Sequence, residues 1–154
     1  MITGTFGKSF GSGGAFIACD SKIGEYLIQT SGAFRYTTAL SPALAAGALQ
    51  SLQIIKRNKT WGINLLSASE KWKKEILQNF RYPVKGDSQI LSIIMGQEEK
   101  TILLQKHLEK NGFLAIAIRP PTVPVNESRI RLTIRRDLNL EILKNFTSVL
   151  KTFK

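Results

Sequence analysis

Apolar and polar positions recur with two different periods along the chain, and the switches between them mark the elements. Gly14 to Cys19, Gly-Ala-Phe-Ile-Ala-Cys, is a short apolar run that predicts a buried strand. Asp20 or Ser21 then offers a capping oxygen for a helix over Lys22 to Thr30, which Gly32 is expected to break. At Ser41-Pro42 a capping hydroxyl precedes a proline in the first helical turn, where its missing N–H is harmless. Leu44, Ala48, Leu52 and Ile55 follow at helical spacing. Thr60 opens a second helix in which Trp61, Leu65, Ala68, Trp72, Ile76 and Phe80 form one stripe, with Lys71, Lys73 and Lys74 largely off it. That spacing assigns both tryptophans to a core stripe rather than a binding site.

After the turn-rich Tyr82-Pro83-Val84-Lys85-Gly86-Asp87 the pattern becomes strand, helix, strand, strand, helix. Ser88 to Met95 is apolar and β-branched, and Gln97 to Lys110 is helical, ending at Asn111-Gly112, a suitable left-handed cap. Phe113 to Ile118 predicts a buried strand, and Pro120, Pro121 and Pro124 prevent regular structure in the loop that follows. In the next strand Ile130, Leu132 and Ile134 face one way and the intervening arginines the other. A helix over Leu138 to Phe153 closes the chain. Residues 60–154 are therefore expected to form a small α/β layer domain, preceded by a piece of a larger one. Met1-Ile2-Thr3-Gly4-Thr5 runs straight into the most chemically loaded segment without a supporting element, so the chain reads as one that starts partway through that larger domain.

The bulk properties narrow the function classes. With 154 residues, 43% of them apolar, the chain can bury a core. No apolar run approaches the roughly 20 residues of a membrane helix, and the first residues lack the apolar core of a signal peptide, so a cytoplasmic protein without a membrane partner is expected. Cys19 has no second cysteine to pair with, and with His107 as the one histidine there is no cluster for a transition metal. Cys19 is expected as a small buried apolar residue and His107 on the surface of a helix. A formal charge of +11 raises the question of nucleic acid. The basic residues are scattered, however, without stacking motifs or a helix-turn-helix pattern, so nucleic acid is not expected as a partner. An anionic small substrate or an acidic protein suits the charge equally well.

Gly4-Thr5-Phe6-Gly7-Lys8-Ser9-Phe10-Gly11-Ser12-Gly13-Gly14 carries the chemistry. It sets one lysine among small residues, with a hydroxyl three positions before it. Small residues let a flat ligand approach the backbone, and free amides with hydroxyls suit a phosphate. Gly7-Lys8-Ser9 lacks the earlier glycine of a phosphate-binding loop, and by composition alone the segment describes an ordinary turn as well as a ligand site.

Thr5-Phe6-Gly7-Lys8, then Phe10-Gly11 and Gly13-Gly14-Ala15, resembles the Schiff-base lysine segment of the α-oxoamine synthases, fold-type-I pyridoxal-phosphate enzymes. The likeness runs on through Phe34, Tyr36-Thr37-Thr38-Ala39-Leu40 and Pro42. It resumes at Ile118-Arg119-Pro120-Pro121-Thr122-Val123-Pro124 and at Arg129-Ile130-Arg131-Leu132-Thr133. The resemblance implies an α/β fold, the C-terminal part of a fold-type-I PLP-dependent transferase. Residues 1–59 would be the end of the large cofactor domain with its lysine and linking helix, and residues 60–154 the small domain. It also implies pyridoxal 5'-phosphate as cofactor and Lys8 as the imine-forming lysine and the base at the substrate Cα. By the same resemblance Thr5 lies beside the cofactor phosphate, and Thr38 reaches the phosphate from the neighbouring subunit of a homodimer. Arg119 would hold the amino-acid carboxylate, a task suited to a planar two-pronged donor, and Thr122 would join it at the substrate. Through the resemblance of its Arg-Pro-Pro-Thr-Val-Pro string to one branch of that family, and through that resemblance alone, L-alanine is implied as amino acid and a pimeloyl thioester, on coenzyme A or an acyl-carrier protein, as acyl donor in a step toward biotin. A sister activity on glycine and a non-catalytic remnant stay open.

The family's N-terminal portion supplies an aspartate to the pyridine nitrogen and histidines at the ring, whereas here no aspartate precedes Lys8. Little synthase activity is therefore expected from this chain unless another polypeptide completes the site. Gly32, Ser41 and Arg135-Arg136-Asp137 also depart from the family pattern.

Overall fold

The computed structural model describes residues 1–153 and divides into one unit over Met1–Lys59 and a second that begins at Thr60. In the first unit, β1 (Ile2–Thr5) pairs antiparallel with β2 (Ala15–Ala18), with Ile2 opposite Ala18 and Thr5 opposite Ala15. Helix α1 (Ser21–Thr30) starts where predicted, because the Asp20 carboxylate accepts the Lys22 N–H at 3.0 Å. Gly32 does more than end that helix: Ser31 caps a further short helix, α2 (Gly32–Arg35), through the Phe34 N–H. Helix α3 (Pro42–Arg57) has Pro42 in its first turn, but the Ser41 hydroxyl makes no capping hydrogen bond, so proline alone marks the start.

The expectation that 14–19 is buried fails. All four β2 residues are exposed, Ile17 by 53%, because a two-stranded ladder leaves its outward positions to solvent. Cys19, expected to be buried, is half-buried. Strand β1 had no sequence signature, since Ile-Thr-Gly-Thr is too short to show alternation.

The second unit contains α4 (Trp61–Asn79), β3 (Val84–Lys85), β4 (Ile90–Gly96), α5 (Glu98–Lys110), β5 (Ile116–Ile118), β6 (Ser128–Thr133) and α6 (Leu140–Lys151). Its strands form one antiparallel sheet in the order β3-β4-β6-β5. Pairing sets Leu91 opposite Leu132 and Ile93 opposite Ile130, and period-two alternation sends these four to one face. That face packs on the buried stripes of the helices: Trp72 and Ile76 of α4, Leu104 and Leu108 of α5, and Phe146 and Leu150 of α6. Each such side chain contributes roughly 1.5–3 kcal/mol when fully buried. Gly86 is required here, since it adopts φ +123° and a Cβ would strike the Ile90 carbonyl.

Three expectations need correction in this unit. Phe113 to Ile118 is not a buried run: β5 is an edge strand covering its last three residues, with Ala115 inward and Leu114 90% exposed. An antiparallel edge strand alternates because only one of its faces meets the core. His107 is half-buried rather than on the surface, its Nε2 lying 3.0 Å from the Val149 carbonyl and 3.1 Å from the Thr152 hydroxyl. Trp61 lies at the margin of the stripe, with the Arg136 guanidinium 3.8 Å from its ring centre, whereas Trp72 is buried as expected.

Candidate active site

The lysine at position 8 sits on a loop closed by the backbone. Phe6 N–H donates to the Gly14 carbonyl, Gly11 N–H to the Lys8 carbonyl and Ser12 N–H to the Phe6 carbonyl, each at 2.9 Å. Thr5 ends β1 immediately before this loop, where its backbone pairs with Ala15 of β2. Two hydroxyls then tie the loop to α3. Ser12 Oγ donates to the Leu44 carbonyl at 2.6 Å, and Ser51 Oγ donates to the Phe10 carbonyl at 2.7 Å. Gly14, at φ +100°, leaves room for the side chain of Leu40, two residues after Thr38. Thr5, Lys8 and Thr38 all have exposed side chains.

Lys8 makes no ion pair among the described residues. An accessible primary amine in a turn of small residues can condense with an aldehyde, and neighbouring hydroxyls can receive a phosphate. The residues present therefore fit a phosphorylated aldehyde such as pyridoxal 5'-phosphate.

Arg119 and Thr122 belong to the second unit. Arg119 directly follows β5, and the Thr122 N–H donates to the Arg119 carbonyl at 3.0 Å, closing a turn around the cis Pro120-Pro121 bond. The Arg119 Nη1 donates to Glu98 Oε1 at 2.6 Å. Glu98, Ser12 and Ser51 were not singled out from sequence, because each acts on a partner brought to it by folding. Where the chain departs from the family pattern, Arg135 forks onto Asp137 through Nε and Nη2, at 3.0 and 2.6 Å. This hydrogen bonding holds the Asp137 carboxyl below the ordinary carboxylate range.

The sequence model of aminotransferases of class I and II matches residues 1–148. The chain belongs to the aminotransferase class I and II family. Among its curated relatives are the 8-amino-7-oxononanoate synthase of Hahella chejuensis, 36% identical over 154 residues, and the putative 8-amino-7-oxononanoate synthase of Pasteurella multocida, 31% identical over 151. The matches cover 95% and 98% of this chain and 39% of each relative, so the chain spans about two fifths of their length, the C-terminal portion. Solved structures give the same fold. Serine palmitoyltransferase of Sphingomonas wittichii superposes with a TM-score of 0.87 at 20% identity, over 97% of this chain and 38% of that one. The 8-amino-7-oxononanoate synthase of Francisella tularensis gives 0.82 at 23%, over 97% and 44%. The resemblance to α-oxoamine synthases and the α/β, fold-type-I C-terminal architecture expected from the motifs are borne out.

Proposed function

We propose that this chain supplies the lysine-bearing and carboxylate-anchoring part of an 8-amino-7-oxononanoate synthase, which joins L-alanine to a pimeloyl thioester of coenzyme A or an acyl-carrier protein. The observation that carries the reading is the anchored loop that presents an exposed Lys8 amine with no ion pair among the described residues, three residues after Thr5. The curated relatives are named for 8-amino-7-oxononanoate, and the resemblance of the motifs to the family supplies the choice of substrates. In this reading residues 1–59 end the large cofactor domain and residues 60–154 form the small domain.

Pyridoxal 5'-phosphate, when bound, supplies the sink for the electron pair left at the alanine Cα. Lys8 would hold the cofactor through its amine, and the same amine is placed to take the alanine Cα proton and later return one. Thr5 binds the phosphate, and Thr38 does so from the second subunit of a homodimer. Arg119 fixes the alanine carboxylate with two parallel N–H donors, and Thr122 shapes the turn that carries it. Orientation of this kind turns a bimolecular encounter into a local one.

Borohydride reduction of the chain with pyridoxal 5'-phosphate, followed by peptide mapping, tests the assignment. The pyridoxyl label is expected on Lys8; label confined to other lysines would sink it. Turnover of alanine and pimeloyl thioester is expected only when the remaining portion of the synthase is supplied, as a separate assay of the two preparations will show.

A further inference from the structure

We propose that Glu98 is a positioning residue for Arg119, holding one guanidinium nitrogen so that the remaining edge of the fork faces an incoming carboxylate. This rests on the reading of Arg119 as the carboxylate anchor and adds to it a residue from a different element.

Both ends of the pair are held by rigid structure. The backbone of Arg119 is fixed on one side by β5, where Ile118 pairs with Arg129, and on the other by the Thr122 turn. Glu98 is the first residue of α5, where the helix dipole favours a carboxylate, and α5 is seated on the sheet through Leu104 and Leu108, both fully buried. What these constraints leave undetermined is the long flexible stem of Arg119, and the hydrogen bond from Nη1 to Glu98 Oε1 determines it.

The pairing is also one-pronged. A guanidinium has five N–H donors in a plane, and a carboxylate ligand takes two parallel ones along a single edge. Glu98 uses Nη1 alone, and among the described residues nothing engages Nε or Nη2. The edge made by those two nitrogens is thus available. It is also reachable, since the Arg119 and Glu98 side chains are 46% and 44% exposed. A latch that blocked the anchor would instead occupy the two-pronged edge and would have to leave before substrate arrived.

The test reads the arginine directly and needs no cofactor. The full chain is labelled with phenylglyoxal, and the rate of modification is mapped to individual arginines. E98A is expected to raise the rate at Arg119 about two- to fivefold, the range set by the strength of a half-exposed ion pair, with Arg131 unchanged. E98Q keeps an acceptor in place and is expected to restore a rate near that of the original chain. Equal rates at Arg119 in all three proteins would overturn the proposal. Should E98A fail to fold, the unmodified chain answers instead: added salt screens the pair, so Arg119 labelling must rise relative to Arg131, and an unchanged ratio counts against it. In the completed synthase, E98A is expected to raise KM for alanine more than it lowers kcat, and a fall in KM would establish a latch instead. The anchor reading has its own failure, an unchanged alanine KM in Arg119→Ala, which leaves the labelling result standing.

Discussion

Lys8 and Arg119 carry different kinds of demand. In the proposed reading the lysine needs an unpaired amine on a fixed loop, and the arginine needs a planar fork held at one angle. Arg119→Lys keeps the charge and loses the fork, so the alanine KM of the completed synthase is expected to rise about tenfold, equivalent to about 1.4 kcal/mol, while Lys8 labelling stays unchanged. The Arg135–Asp137 pair shows the opposite case, a strong geometry without a strong consequence. Because its hydrogen bonds lower the Asp137 pKa, its contribution is present above the ordinary carboxylate range and is lost as pH falls through the lowered value. Both groups are solvent-exposed, however, so Asp137→Asn is expected to leave the Tm at neutral pH unchanged in a melting experiment. Lys8 and Arg119 were singled out through the family resemblance of the segments around them, since the glycines around one and the prolines after the other describe ordinary turns as well. Glu98 was not, since its partner lies 21 residues away and meets it only after α5 has packed on the sheet.

Among the elements, α3 has a second role beyond the apolar spacing that revealed it. Its Leu44 carbonyl and Ser51 hydroxyl moor the Lys8 loop from two points. Ser51→Ala removes one of them and is expected to cost about 1 kcal/mol. Faster amide exchange at Gly11 and Ser12, with α3 itself unchanged, would report that loss. In the second unit Ile76 of α4 is fully buried against the sheet, and Ile76→Ala is expected to destabilise by roughly 2–5 kcal/mol in a denaturant titration. Helices were the readable elements because a 3.6-residue period repeats several times over 16 or 19 residues. The two-residue β3 has no room for any period, and β5 misled because apolar residues on an edge strand need not be buried.

Across the whole chain, buried apolar residues are unevenly shared. Among the described residues, Ala48 is the only buried hydrophobic residue before Thr60, while the core cluster belongs to the second unit. Ile17, Tyr26, Phe34 and Leu49 are exposed in the first unit, a quantity of apolar surface that favours association. Sedimentation of the isolated chain is expected to show mass growing with concentration, and addition of the remaining synthase portion should suppress that growth. The composition could not have announced this imbalance, because 43% apolar content is compatible with an even distribution. Among the described residues no helix is long and apolar enough to cross a membrane.

The two tryptophans of α4 have opposite surroundings, one beneath the Arg136 guanidinium at the start of the helix and the other sealed in the core two-thirds of the way along. Their fluorescence should therefore divide into a fraction that iodide quenches and a fraction it cannot reach. One helix would then carry its own pair of optical gauges, the first sensing its entrance and the second reporting whether the interior has opened.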